Sequence, residues 1–188
     1  GFAVIENSLW DALPEFLRDF DTAVQEKYGQ TLPVDFNPIK FSSWMGGDRD
    51  GNPNVTAKLT QEVMSLSRWM AADLYLRDIR ALMNQLSMWD CSEELKQATE
   101  PYINDDSRNR NEPYRLIMTG LRKRLMATLD WSAKTAKGIA ADSTEVLFDN
   151  DDLLQPLLLC HRSLCETGLD SVANGLLLDT IRRVSCFG

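Results

Sequence analysis

Apolar residues recur at three- and four-residue steps along most of the chain, which is the period of an amphipathic helix. The longest such segment runs over residues 57–89 with neither glycine nor proline, and it predicts a helix long enough to cross a whole domain. The same period predicts further helices over 11–28, 92–102, 113–137 and 150–167, and from 170 to the end of the chain. The sequence therefore predicts a mainly α fold of about six helices in a single unit, 1–188.

Three segments depart from this pattern. Residues 39–45 alternate apolar and polar side chains as a short strand would, and residues 104–111 are polar and charged, as in a mobile surface loop. Asn174-Gly175 interrupts the last helical stripe. The helix either begins after that pair, or the glycine permits a close contact with another helix.

Composition and charge narrow the class of protein. The chain has 188 residues, 44% of them hydrophobic, and a net charge of −8. An acidic protein lacks the positive surface that nucleic acid or an anionic membrane requires, and no apolar run approaches the length of a bilayer span. We therefore expect a soluble, cytoplasmic protein without nucleic-acid or membrane partners. Reduced thiols are expected, because the cysteines have no zinc-ligand or C-x-x-C spacing: Cys91, Cys160, Cys165 and Cys186.

The candidate chemistry lies in the glycine-rich loop that follows the predicted strand. Gly46, Gly47 and Gly51 allow backbone conformations that bring N–H groups close to an anion. Arg49 stands between two aspartates, an arrangement that orients a guanidinium toward a phosphate or carboxylate.

Other interpretations of the same loop remain open. A tight turn held by its own ion pairs, without a ligand, has the same sequence requirements. A calcium loop fits poorly, because Pro53 and Leu59 replace the glycine and the glutamate that such loops need. Elsewhere, the polar face of the long helix, which includes Arg68, is typical of a solvated or ion-paired surface, and His161 is interpreted as a packed or surface histidine rather than a catalytic base.

One block of the sequence resembles a signature of the phosphoenolpyruvate carboxylase family. The block is Phe41-Ser-Ser-Trp-Met-Gly-Gly-Asp-Arg-Asp-Gly-Asn-Pro53, followed by Val55-Thr56. The resemblance continues in Glu6-Asn-Ser-Leu-Trp10, Leu86-Ser-Met-Trp89, Glu112-Pro-Tyr-Arg115, Ala173-Asn-Gly175 and Leu178-Asp-Thr-Ile-Arg-Arg183. It therefore extends over nearly the whole chain.

The resemblance implies a fold and a reaction for a longer protein. Family members have an α/β barrel of the TIM type, elaborated with helices, and the 39–45 strand would be one strand of it. They carboxylate phosphoenolpyruvate with bicarbonate to give oxaloacetate and phosphate, an anaplerotic step that feeds the tricarboxylic acid cycle. The resemblance also implies Mg²⁺ as cofactor, allosteric control and a homotetramer.

It also implies roles for particular residues. Trp10 matches a tryptophan of a hydrophobic pocket around the substrate methylene, although its apolar surroundings in the sequence by themselves favour a core tryptophan. Trp44 matches one on the bicarbonate side. Arg49 is expected to be a structural or anion-facing cation, and Arg115 to belong to an effector site at a subunit interface. The family's catalytic histidine, its mobile arginine-rich loop and its metal-binding carboxylates have no counterpart in these 188 residues.

The chain is therefore expected to be a central fragment that is inactive alone. It opens on Gly1 without methionine and closes directly after a predicted helix, as an excised piece would. The alternative is a helical interaction module on the same scaffold, without catalysis of its own. The scarcity of acid–base residues in the chain favours this alternative, and the glycine-rich loop argues against it.

Overall fold

The computed structural model describes residues 1–48, 50–103 and 111–188. The described chain is mainly α-helical, as predicted. Its six principal helices are α1 (Trp10–Tyr28), α2 (Ala57–Gln85), α3 (Glu93–Thr99), α4 (Pro113–Ala136), α5 (Asp151–Glu166) and α6 (Leu178–Phe187). Short helical turns lead into α1 over Phe2–Val4 and Ile5–Leu9, extend α3 over Glu100–Tyr102, and lead into α6 over Asp170–Val172 and Ala173–Leu177.

Local signals in the sequence position the helix ends. The Thr56 and Ser92 hydroxyls accept hydrogen bonds from the third N–H group of α2 and of α3, both at 3.2 Å. Pro113 occupies the first position of α4, where its missing N–H is no loss. Gly29 ends α1 in the left-handed conformation, with φ of 67°. The prediction for α2 ran too far, since this helix ends at Gln85 rather than 89.

The core forms where α2 packs along α4, with α5 and α6 enclosing the same apolar surface. The helices place their apolar stripes inward, and the burial of these side chains is the main favourable contribution to folding. Residues that are fully enclosed include Ile79, Leu82, Met118, Leu157, Leu164 and Ile181. None of the described helices combines the length and the apolar character needed to cross a membrane.

The predicted strand at 39–45 is absent from the described part of the chain, since residues 39–44 carry no strand assignment. Instead the segment follows the end of α6, where the Phe41 N–H donates to the Cys186 carbonyl oxygen at 3.2 Å. A strand requires a neighbouring strand for its hydrogen-bond ladder. The alternating pattern indicates an extended segment, but the segment lies beside helices, which provide no strand with which it could pair.

The chain kinks at Gly175, whose ψ of −134° is not helical, and α6 begins three residues later. A Cβ atom on Gly175 would meet nothing within 4 Å, so a close helix contact does not explain this glycine. Arg18 instead donates to the carbonyl oxygens of Asn174 and Gly175 at 2.8 and 3.0 Å. The kink is thus stabilised from α1. The loop predicted over 104–111 lies outside the described residues except for Asn111.

Candidate functional site

Four aromatic rings, which we call the aromatic cluster, pack where α6 ends: Trp10, Phe41, Tyr75 and Phe187. Phe187 stacks between the other rings, 4.4 Å from Phe41 and 5.2 Å from Trp10, measured between ring centroids. Tyr75 meets Trp10 edge to face at 5.0 Å. Such pairs add to the apolar burial of each ring. Trp10 is only 6% exposed, so the structure places it in the core.

Arg183, a residue of α6, lies against this cluster and binds two other segments of the chain, the beginning of α1 and the second half of α2. Its Nε donates to the Trp10 carbonyl oxygen at 2.7 Å, its Nη1 to Asp78 at 2.9 Å and its Nη2 to Asp11 at 3.3 Å. The guanidinium also stacks over the Trp10 ring at 5.3 Å. A buried guanidinium needs such partners, because an unpaired charge away from water is strongly unfavourable. Arg183 therefore fixes α6 against α1 and α2.

Two ionisable groups beside Arg183 have shifted pKa values. Burial raises the pKa of the Asp78 carboxyl above its ordinary value, although Arg183 and Trp10 oppose that shift. Burial also raises the pKa of Tyr75, whose hydroxyl donates to the carbonyl oxygens of Arg183 and Gly188. The Tyr75 phenol therefore stays protonated and acts as a hydrogen-bond donor to the end of α6.

The second candidate region is residues 44–56, which we call the signature loop. Its described backbone is held by short-range hydrogen bonds, including those from the N–H groups of Gly47 and Asp48 to the Trp44 carbonyl oxygen at 3.1 and 3.3 Å. The Asp48 carboxylate accepts from the Asp50 N–H at 3.0 Å, a turn that aspartate commonly forms. These bonds support the interpretation of the loop as a series of tight turns.

Gly46 packs the signature loop onto α2. Its φ is +71°, and a Cβ atom there would lie 2.9 Å from the Cβ of Val63, so both the backbone conformation and the space require glycine. The Gly46 carbonyl oxygen accepts from the Thr60 hydroxyl at 2.6 Å. Gly51 also has a positive φ, of +67°, and open space around it.

The predicted site residues of this loop differ in what the structure shows. Trp44 is 80% exposed, so its indole is available to a substrate or to another part of a larger protein. Arg49 lies outside the described residues, and the expected pairing of its guanidinium with Asp48 and Asp50 stays a prediction. Trp10 and Trp44 thus lie in opposite environments, one enclosed and one exposed.

A cavity of about 390 Å³ joins the two regions. The signature loop contributes Met45, the residue before the loop is Ser43 and also lines the cavity, and the aromatic cluster contributes Tyr75 and Phe187. Its volume lies in the range of small-ligand pockets, and it combines apolar walls with a few polar groups, as such pockets do. Neither Trp10 nor Trp44 is among its lining residues.

Arg115, the predicted effector residue, is held within α4 and against α2. Its Nε donates to the Met83 carbonyl oxygen at 2.9 Å, and its Nη1 pairs with the Glu112 carboxylate. Its three other N–H donors form no hydrogen bond with a residue that the structure describes. Its role as an effector residue stays a prediction.

The sequence by itself does not indicate Tyr75 or Asp78 as site residues. It does carry a signal for Arg183, because Arg182-Arg183 follows Ile181 and precedes Val184 in an apolar helix stripe. Two arginines in such a position are expected to be buried and paired. Of the packed and surface positions that the sequence left open for His161, the structure shows the packed one: the residue is 7% exposed, and its Nε2 lies 3.1 Å from the Asn174 side-chain oxygen.

Within the residues that the structure describes, no three His, Cys, Asp or Glu side chains form a group that could hold a metal ion. The four cysteines are free. Burial raises the pKa of the Cys160 thiol to about 12, as for a cysteine packed like a small apolar residue.

Comparison with known proteins gives a consistent result. The family model described as "Phosphoenolpyruvate carboxylase" matches residues 1–188. Proteins named phosphoenolpyruvate carboxylase from Marinobacter nauticus, Hahella chejuensis and Acinetobacter baumannii are 57%, 54% and 52% identical to the chain. Each alignment includes 100% of the chain, which spans about 20% of the length of each of these relatives.

Proposed function

Because the chain belongs to the phosphoenolpyruvate carboxylase family, we propose that it is one part of an enzyme that carboxylates phosphoenolpyruvate with bicarbonate. The products are oxaloacetate and inorganic phosphate. The observation that carries this proposal is the family match over all 188 residues. The signature loop adds support, because it lies beside a cavity of ligand size.

The proposed reaction has two stages. A bicarbonate oxygen attacks the phosphorus of phosphoenolpyruvate, and the bond from phosphorus to the enol oxygen breaks, giving carboxyphosphate and the enolate of pyruvate. Carboxyphosphate then releases CO₂ and phosphate, and the enolate carbon bonds to CO₂. Negative charge develops at each stage, so cationic and N–H groups must face the reacting atoms in a site that excludes water.

For this chain we propose supporting roles in that site. Trp44 lies on the bicarbonate side and Arg49 faces an anion. Trp10 belongs to a hydrophobic pocket around the substrate methylene, and its ring is held in place by Phe187 and Arg183. We further propose an effector role for Arg115, a cytoplasmic location and a homotetramer for the full-length protein.

Mg²⁺ is the cofactor that we propose for the full-length enzyme. The described residues do not fit an Mg²⁺ site, because none of their acidic, histidine or cysteine side chains form a group of three that could hold the ion. No step proposed for the residues of this chain therefore involves the metal.

The decisive test measures oxaloacetate formation by the full-length protein, with and without bicarbonate. Bicarbonate-dependent turnover is expected. A folded full-length protein without turnover would instead favour the alternative, a helical interaction module. The exposure of Trp44 and Trp89, 80% and 74%, favours contacts of this chain with other protein surface in either case.

The 188-residue chain by itself is expected to be inactive. Supplied with phosphoenolpyruvate, bicarbonate and Mg²⁺, it should form no oxaloacetate above the rate without protein. Steady production by the pure chain would show that the remaining four fifths of the relatives' length is dispensable.

Arg49→Ala in the full-length enzyme should lower turnover by at least about tenfold, equivalent to about 1.4 kcal/mol of activation free energy. The reason is the loss of a cation that faces a developing negative charge. Steady-state kinetics of the folded variant measure this effect, and wild-type kinetics would remove Arg49 from the proposed site.

A further inference from the structure

A second cavity, of about 580 Å³, lies at the beginning of α2, against α4 and residue 148. Its described lining has a single charged side chain, that of Arg68. The other lining residues are hydroxyl-bearing, amide or apolar: Ala57, Thr60, Gln61, Met64, Ser65, Trp131, Thr135 and Phe148. A concave surface with apolar walls and a few converging polar groups is the usual form of a small-ligand site.

Two aromatic rings hold the Arg68 guanidinium. Its central carbon lies 5.0 Å from the centroid of Phe148 and 5.7 Å from that of Trp131. The two rings meet edge to face, with an interplanar angle of 84°. The faces of the rings attract the cation, and this attraction uses none of its N–H donors, which remain available for a ligand.

Arg68 differs from most arginines that the structure describes. Arg18, Arg77, Arg115, Arg124, Arg162, Arg182 and Arg183 all pair with carboxylates. Arg68 forms no ion pair with a described residue, although it is half-buried. Asp149 is the acidic residue of the neighbouring 390 Å³ cavity, which Arg68 also lines, and no ion pair joins the two. A half-buried cation without a counter-charge attracts an anion.

The cavity extends from Arg68 to the beginning of α2. Ala57, Thr60 and Gln61 belong to the first two turns of this 29-residue helix. The partial positive charge of a helix N-terminus acts mainly within its first turn, and Arg68 lies further along α2. The attraction for an anion therefore comes from Arg68 itself.

We propose that this cavity binds a small organic anion, with its carboxylate or phosphate group on Arg68 and its apolar part against Trp131 and Phe148. The site adjoins the 390 Å³ cavity beside the aromatic cluster, and Met64, Arg68 and Phe148 line both cavities. Thr60 lines the new site and donates to the Gly46 carbonyl oxygen of the signature loop. A ligand that contacts Thr60 thereby contacts the residue that anchors this loop, which makes the site suited to regulation.

Phenyl phosphate is a suitable probe because it combines an anionic group with a ring. The indole N–H signal of Trp131, assigned with Trp131→Phe, is followed by NMR during a titration of the 188-residue chain. The signal should shift as phenyl phosphate is added, and Arg68→Gln should raise the dissociation constant at least tenfold. Arg80→Gln is the matched control, since Arg80 lies exposed on the same helix and forms no ion pair with a described residue. It should change the dissociation constant less than twofold.

Two further ligands test the chemical class. Inorganic phosphate has the charge without the ring, and benzyl alcohol has the ring without the charge, so each should bind at least tenfold more weakly than phenyl phosphate. Equal binding of either compound would contradict an organic-anion site, as would unchanged affinity in Arg68→Gln or an absent shift.

Isothermal titration of the full-length protein provides a second measurement. One class of sites in the wild type should have a dissociation constant for phenyl phosphate that rises at least tenfold in Arg68→Gln. Unchanged dissociation constants would overturn the proposal. This affinity does not depend on carboxylation, so it distinguishes failure of this proposal from failure of the proposed enzyme function.

Discussion

The signature loop and the aromatic cluster border the same cavity, but different interactions hold them. Hydrogen bonds in the loop join residues two to four positions apart, such as Asp50 to Asp48. Contacts in the cluster join residues far apart in the chain, with 173 positions between Arg183 and Trp10 and 108 between Tyr75 and Arg183. The loop is thus shaped by its own sequence, and the cluster by the packing of the whole chain.

This difference matters for function. A locally determined loop can keep its turns while its side chains face outward, as Trp44 does. A buried cluster can hold a backbone position firmly, but its rings become accessible only if neighbouring segments move. We therefore expect substitutions in the cluster to affect stability first, and substitutions in the loop to affect ligand contacts first.

The largest expected effect is that of Trp10→Ala. Removing a buried indole that contacts Tyr75, Phe187 and Arg183 should lower the free energy of unfolding by about 3–5 kcal/mol. Urea unfolding of the 188-residue chain measures the change. Trp89→Ala is the control, because Trp89 is 74% exposed and its loss should cost less than about 0.5 kcal/mol. Similar effects of the two variants would contradict the burial of Trp10.

Gly46→Ala tests a place where the loop depends on packing. Both Gly46→Ala and Gly51→Ala force alanine into a left-handed conformation, which costs about 1–2 kcal/mol. Gly46→Ala should cost about 1–3 kcal/mol more, because its Cβ collides with Val63. Unfolding curves of both variants give the difference, and a double-mutant cycle with Val63→Ala should recover most of it. Equal costs would show that the loop does not pack on α2.

The pH dependence of stability tests the cluster through Tyr75. Its pKa is raised in the folded chain, so above pH 10 the unfolded state releases the proton while the folded state keeps it. Stability should then fall as pH rises, by up to about 1.4 kcal/mol per pH unit for this group. Tyr75→Phe should lack this contribution, which urea unfolding between pH 9 and pH 11 measures. Parallel curves for the two proteins would show that the phenol is not buried.

Trp44→Ala should have the smallest effect on stability. The side chain is 80% exposed, so the free energy of unfolding of the 188-residue chain should change by less than about 0.5 kcal/mol. In the full-length enzyme the same substitution should raise the KM for bicarbonate or lower kcat, since Trp44 is proposed to lie on the bicarbonate side. Wild-type kinetics would leave Trp44 with neither role.

Much of the helical architecture could be predicted from the sequence. The apolar period depends on neighbours within about four positions, and so do residues that cap helices, such as Thr56, Ser92 and Gly29. These signals therefore act in any tertiary context. The family resemblance, confirmed by the match over residues 1–188, depends likewise on a contiguous block of residues. These features identified the six helices and the family.

Other properties depended on residues distant in the chain. Alternation at 39–45 suggested a strand, yet the segment lies beside the end of α6 without a partner strand. The interpretation of Arg68 as part of a solvated or ion-paired face missed its position against Trp131 and Phe148, which come from α4 and the loop after it.

The sequence by itself determined where most of the helices begin and end and which family the chain belongs to, because capping, periodicity and motif identity are local properties. Only the tertiary structure decided that α2 ends at Gln85, that Trp44 is exposed, and that Arg183 rather than a loop residue ties three segments together. Burial and charge pairing are properties of surfaces brought together by packing, and residues more than 100 positions apart supply those surfaces here.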